Sequence, residues 1–204
     1  ERGFIAHVFD YDNNCPGKDI CDKFHHVSIT DKTKILEIAK RFKPVGIQTV
    51  ATEMGNRTAS FVGEKLNLKV NSFTTSIETS DKNIMKEVFT QNKIPSTKSV
   101  VLINSSQLPN LKFPFMVKAS DRSAGRGIRL VRNESEFRIA FIEALDQSVN
   151  KIVLAEEFFY GKQYSIETIS FSGEHYVIAV TDENVDGPPY FVEVMHLLPA
   201  MIDI

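Results

Sequence analysis

The residues best suited to chemistry lie between Phe113 and Glu167. Lys118 closes the apolar run Phe113-Pro114-Phe115-Met116-Val117, and Ser120-Asp121-Arg122-Ser123-Ala124-Gly125-Arg126-Gly127 follows. A Gly- and Ser-containing loop between two strands can close over phosphates. Its glycines, Gly125 and Gly127, let backbone N–H groups approach an anion closely, and Lys118 adds a fixed cation. The loop is not a Walker A motif, which needs G-x-x-x-x-G-K and an immediately following helix. Taken alone, its bland reading is a flexible turn. Further on, Leu154-Ala155-Glu156-Glu157-Phe158-Phe159 embeds two carboxylates in an apolar run. Carboxylates do not belong in a buried strand unless they are paired or functional. The backbone edge beside Glu156 can read the donor and acceptor pattern of an adenine ring.

These residues need elements to position them. Phe4 to Phe9 reads as a short strand ending in Asp10-Tyr11-Asp12, and His26 to Ile29 as a second. Asp31 is a good N-cap, and Ile35, Leu36, Ile38, Ala39 and Phe42 form a helical stripe that ends before Pro44. Val45 to Ala51 reads as another strand and Arg57 to Leu66 as another helix. The alternation predicts a parallel α/β unit, with Asp10, Asp12, Thr52 and Glu53 at strand ends, where such sheets bind ligands. Solvated loop positions are the alternative for these four. A polar stretch, Ser72 to Ser80, marks a boundary. Beyond it the pattern predicts a helix from Lys82 to Gln91 and strands over Lys98–Ile103, Phe113–Ala119 and Ile128–Val131. A helix over Glu134–Gln147 follows, then a strand over Lys151–Phe159 and a hairpin of Gln163–Ser172 with His175–Thr181. The expected fold class is α/β plus α+β.

Composition narrows the function classes. The 204 residues are 42% hydrophobic and 25% charged, which suits an ordinary globular chain of one large or two small domains. A net charge of −2 makes no electrostatic case for a nucleic-acid or membrane partner. No apolar run approaches the roughly 18–20 residues that cross a bilayer. Cys15, Cys21, His25 and His26 follow C-x5-C-x3-H-H, which fits no common zinc knuckle, and the two cysteines read as loop residues of a reducing cytosol. The localisation expected is cytoplasmic.

The ordered set of motifs resembles the ATP-grasp superfamily, in its carbamoyl-phosphate-synthase-like and amino-acid-ligase-like branch. It comprises a D-K helix start, F-P-x-x-V-K, S-D-x-S-x-G-R-G, and V-L-x-E-E-F-x-x-G-x-x-Y-S-I-E. The preceding α/β unit resembles the pre-ATP-grasp domain. The resemblance implies a Rossmann-like unit over residues 1–75, an N-terminal ATP-grasp lobe over 76–154 and the start of a C-terminal lobe over 155–204. It implies Lys82 and Lys118 as basic ATP-phosphate contacts, and Ser120, Ser123, Gly125 and Gly127 as parts of a phosphate-covering loop. Glu156, Glu157 and Phe158 become the inter-lobe linker that reads adenine. Gln163 falls where many members use Glu to bind the ribose hydroxyls, a departure that keeps an acceptor but loses a charge. Glu193 and His196 would face the acyl or amine substrate, with a structural role in the sheet as the alternative.

The implied activity is ATP-dependent C–N ligation through an acylphosphate, with ATP and Mg2+ as cofactors. The implied partners are a small carboxylate and an amine or ammonia donor, and a homodimer is compatible. No E-x-N-x-R motif occurs before Ile204, so the metal ligands are expected beyond residue 204 and none within the chain. A Gly-rich first strand is missing as well, so the chain is expected to be cut at both ends and to turn ATP over weakly or not at all. A non-catalytic nucleotide-binding or interaction module is the alternative. A nicotinamide-dependent oxidoreductase would lack its G-x-G-x-x-G and leave the Lys118 loop unexplained.

Overall fold

The structure, a computed structural model, describes residues 3–102, 104–123 and 125–202. Ile103 and Ala124, read above as a strand end and a loop residue, lie outside that description. The chain divides into two compact units, Glu1–Ser80 and Asp81–Ile204.

In the first unit, β1 (His7–Asp10) pairs in parallel with β2 (Lys23–His26). Helices α1 (Lys32–Phe42), α2 (Glu53–Lys65) and α3 (Phe73–Glu78) follow. The caps are those that local chemistry favours. Asp31 accepts from the Lys34 N–H at 3.1 Å, and the Thr52 hydroxyl from the Gly55 N–H at 3.4 Å. The core joins Val27, Ile35, Ala39 and Val62, with Phe9 and Phe42 against it. Parallel pairing of strands linked by a long connection agrees with the pattern read from the sequence.

Two expectations fail here. The second strand lies at Lys23–His26 and not at His26–Ile29, because the Val27 N–H turns back to the His25 and Asp10 carbonyls. Val45 to Ala51 forms no strand. Val45 and Val50 are 82% and 81% exposed, and β character without a ladder partner does not make a strand. Ser72 to Ser80, the polar stretch read as a boundary, holds α3 and ends where the first unit ends. Its polar residues serve the helix: Ser72 caps it, Glu64 accepts from the Phe73 N–H at 2.8 Å, and the Ser76 and Thr79 hydroxyls donate to backbone carbonyls.

The second unit begins with α4 (Lys82–Gln91). Strands β3 (Ser99–Leu102), β4 (Phe115–Ala119), β5 (Ile128–Val131) and β6 (Val153–Glu157) form an antiparallel sheet in the order β3-β6-β4-β5. Helix α5 (Glu134–Gln147) packs on one face of it. Side chains alternate across a strand. Phe115, Val117, Ala119, Val131, Val153 and Ala155 therefore share the α5 face and form the core with Phe137, Ala140, Phe141 and Ala144. Met116, Lys118, Leu154 and Glu156 fall on the other face. A second antiparallel sheet, β7-β8-β9, comprises Gln163–Phe171, Glu174–Val185 and Glu193–Leu197, and its first hairpin turns at Ser172-Gly173 as the sequence predicts.

The first unit carries a titratable contact. His7 Nδ1 and His25 Nε2 lie 2.9 Å apart, and the two rings stack with Phe42 and Phe9. Burial, and then the neighbouring His7, lower the His25 pKa. A base whose folded pKa is depressed contributes stability above its unfolded value, and loses it as pH falls through the folded one. Protection of the Glu1–Ser80 amides, corrected for intrinsic exchange, should therefore drop between about pH 7.5 and 5, and His25→Gln should flatten that dependence. Hydrogen-exchange mass spectrometry reads both; equal slopes would remove the pair from the account.

Candidate functional site

The polar face of the first sheet opens onto a cavity of about 970 Å³. Lys118 enters it from β4 and Glu156 from β6, as diagonal neighbours: Met116 stands opposite Glu156, and Lys118 opposite Leu154. Lys118 Nζ donates to Glu156 Oε2 at 2.7 Å, and that carboxylate is only 5% exposed. Lys86 Nζ, from α4, lies 4.0 Å from the same oxygen and donates to Thr97 Oγ1 at 2.6 Å. Burial, and then the charge of Lys118, lower the Lys86 pKa, while Glu156 opposes the shift. Two ammonium groups thus share one carboxylate, which leaves positive charge in excess locally around Glu156. Sequence reading missed Lys86, although it stands one helical turn from Lys82 and so on the same face of α4.

Past Glu156 the chain leaves the sheet. Glu157 is exposed, and its N–H donates to the Lys98 carbonyl at 2.9 Å. Among the described residues, no hydrogen bond occupies the backbone groups of Phe158, Phe159, Tyr160 or Gly161, which line the cavity. The Phe158 ring packs against Tyr160 and against Phe191, at centroid distances of 4.8 and 5.4 Å. Phe191 belongs to the loop between β8 and β9, and the Pro189 carbonyl of that loop accepts from the Leu130 N–H of β5 at 2.8 Å. The cavity is thereby walled by both sheets.

The second sheet contributes polar groups. Gln163 Nε2 donates to Glu183 Oε1 at 2.7 Å across the β7–β8 ladder. Burial, and then the adjacent Glu193, raise the Glu183 pKa. His196 Nε2 lies 3.7 Å from Glu193 Oε2. Gln163, Glu183 and Glu193 line the cavity, whereas His196 is not among its walls. Glu183 was not legible in the sequence, because only the strand register places it opposite Gln163.

Several residues read as phosphate contacts are scaffolding. Ser120 has no exposed surface, and its hydroxyl donates to Asp81 Oδ1 at 2.6 Å. Asp81 also caps α4 through the Asn83 and Ile84 N–H groups and accepts from Asn150 Nδ2 at 2.7 Å. Gly127 has φ +67°, and a Cβ there would lie 3.0 Å from the Ala119 Cβ and 3.2 Å from the Gln147 Cβ, so the glycine serves packing of the sheet on α5. Gly125 has φ +69° with open space beside it and lines the cavity. The Ser123 carbonyl accepts from Arg126 Nε at 3.1 Å. Lys82 does not line the cavity. Its N–H donates to the Ser120 carbonyl at 2.8 Å and its Nζ to the Arg122 carbonyl, which ties it to the loop stem.

The family model of the carbamoyl-phosphate synthase L chain, ATP binding domain, matches residues 79–201. The chain belongs to this family. Membership makes it an ATP-grasp chain with an ATP-binding domain. It is 31% identical over 119 residues to the ADP-forming sulfoacetate-CoA ligase subunit SqwK of Acholeplasma sp, covering 53% of this chain and 30% of that protein. It is 23% identical over 164 residues to a formate-dependent phosphoribosylglycinamide formyltransferase of Prochlorococcus marinus, covering 77% and 42%. Among solved structures it resembles the L-amino acid ligase from Bacillus licheniformis, with TM-score 0.77, 22% identity and coverage of 98% and 50%. It also resembles the N5-carboxyaminoimidazole synthetase from Staphylococcus aureus complexed with ADP, with TM-score 0.75, 17% identity and coverage of 97% and 52%. At these identities the structural likeness is one of fold. The chain spans about half the length of these solved structures, and less of the curated relatives.

The ATP-grasp sheet rests on a buried polar bridge. Asp121 accepts from the Val149 and Asn150 N–H groups at 3.1 and 2.8 Å and from the Ser148 hydroxyl at 3.1 Å. Removing this acceptor leaves two N–H groups without their partner. Asp121→Ala should therefore cost about 2–3 kcal/mol in urea denaturation followed by circular dichroism. A loss within experimental error of zero would show that the bridge is dispensable.

Proposed function

We propose that the unit Asp81–Ile204 holds ATP in the cavity between its two sheets, and that it serves a ligase joining a small carboxylate to an amine. The observation that carries this reading is the Lys118–Glu156 pair at 2.7 Å, a cation fixed on the open face of an otherwise packed sheet. A charged pair is not needed for folding, since replacing such a pair by apolar residues is often neutral or stabilising. Its place on the cavity wall supports a role toward a ligand.

The remaining contacts arrange themselves around that lysine. The free backbone groups of Phe158 to Gly161 suit the edge of an adenine ring, with the Phe158 and Phe191 rings as apolar walls. Gln163 stands at the ribose. Lys118 and the N–H groups around Gly125 take the phosphates, while Lys82 holds the stem of their loop. Binding through several fixed donors holds the γ-phosphoryl in line with a carboxylate oxygen. That oxygen attacks phosphorus, and ADP departs with the bonding pair. The acylphosphate so formed is attacked by the amine at the carbonyl carbon, and inorganic phosphate leaves. Glu193 and His196 are the groups we assign to the carboxylate or amine. The chain's own contribution is to position the phosphoryl and to neutralise charge on its oxygens with ammonium groups fixed in advance. Among the described residues no cluster of three or more acidic, imidazole or thiol side chains converges on a metal position.

For Glu1–Ser80 we propose a pre-ATP-grasp role. Parallel β1–β2 pairing with helices on the sheet supports that reading.

Calorimetric titration of the chain with ATP tests the central assignment. Lys118→Ala should weaken binding by about tenfold or more, the scale of one charge-assisted contact. Undiminished ATP affinity in a folded Lys118→Ala chain would defeat it.

A further inference from the structure

Gln163 and Glu183 form a pair that the proposed contacts do not explain. They stand directly opposite each other in the β7–β8 register, both line the cavity, and the amide nitrogen of one donates to the carboxylate of the other at 2.7 Å. A primary amide has two chemically opposite ends: its nitrogen only donates and its oxygen only accepts. Whatever occupies the nitrogen decides which end remains for a ligand. Here Glu183 takes one of the two N–H donors, which orients the amide and turns Oε1 of Gln163 away from Glu183.

We infer that Glu183 is a positioning residue that locks the Gln163 amide with its oxygen available to the ligand, and so selects nucleotides carrying ribose hydroxyl donors. The inference rests on the nucleotide reading above and deepens it. A freely turning amide must lose that freedom when a ligand arrives, and presents donor and acceptor alternately. A fixed one presents a single acceptor at no such cost.

The same geometry explains why an amide, and not a carboxylate, stands at position 163. Glu183 is partly buried, and Glu193 stands two positions along the neighbouring ladder opposite Val185. A third carboxylate would add repulsion to a group that burial and Glu193 already disfavour in its charged form. The amide keeps the acceptor, brings no charge, and donates to Glu183, which favours its ionised state. The polar cluster is therefore self-consistent only with an uncharged acceptor at 163.

The test compares the dissociation constants of ATP and 2′,3′-dideoxy-ATP, measured by calorimetry on the full chain. The unmutated chain should prefer ATP by about tenfold, one good hydrogen bond. Glu183→Ala should bring the ratio near one and leave the dideoxy affinity almost unchanged. Glu183→Gln restores an acceptor opposite Gln163 and should keep the preference. Gln163→Leu should abolish it, and adding Glu183→Ala to that variant should change the ratio no further. If Glu183→Ala does not fold, Glu183→Asp withdraws the acceptor by one methylene and should lose the preference too. A wild-type ratio in the folded variant, or losses that add across the two sites, would overturn the role of Glu183 and leave the nucleotide reading intact. Failure of the unmutated chain to bind ATP would overturn that reading and this inference together.

Discussion

A carboxylate buried against a sheet costs several kcal/mol unless its charge is answered, and the second unit is organised around answering that of Glu156. The order β3-β6-β4-β5 puts β6 in the interior of the sheet with β4 beside it, and Lys118 reaches the carboxylate across that neighbour. Helix α4 brings Lys86 and strand β3 is preceded by Thr97, both directed to the same oxygen. The opposite face of the strands is apolar except for Arg129, which pairs with Glu143 of α5 at 3.0 Å, and is covered by that helix. One sheet thus combines a face packed for stability with a charged face held in register by the same backbone ladder. Function and fold share the strands but divide their two sides.

The stem of the Ser120–Gly127 loop shows the complementary solution. Asp81, Ser120, Asp121 and Ser148 are buried polar groups drawn together with the exposed Asn150, and each finds a partner. Such a network fixes the start of α4 against the end of β4, because unmet donors there would be expensive. Residues that resemble ligand contacts by type, Ser120 and Gly127 among them, are consumed in this framework. The loop proper begins only beyond it, and Gly125 has the space and backbone freedom to approach an anion.

The second sheet completes the cavity with a different chemistry. Its groups, Gln163, Glu183 and Glu193, are acidic or amide, whereas the first sheet offers the Lys118 ammonium beside Glu156. A ligand spanning the two would meet cations at one end and hydrogen-bond acceptors at the other. That polarity matches a nucleotide, with phosphates at one end and a hydroxylated sugar toward the other. It is also consistent with the family to which the chain belongs.

Much of this was legible in the sequence, where local chemistry decides. Asp31 announced its helix as a cap, the Asp81-Lys82 pair announced the next helix start, the apolar run before Lys118 announced β4, and Ser172-Gly173 announced the hairpin. Lys118 and Glu156 stood out because charge in an apolar strand is costly without a partner. What the sequence left open were pairings between residues far apart in the chain. Val45 to Ala51 has strand composition but no ladder, the polar residues of Ser72 to Ser80 hide a helix, and Lys86 and Glu183 carry no local mark of their role. The sequence by itself determined the elements and the presence of a lysine and a buried carboxylate. Only the tertiary structure decided that they meet, that Ser120 faces Asp81, and that Glu183 faces Gln163. Each of these contacts is set by strand register and long-range packing, which local propensity does not encode.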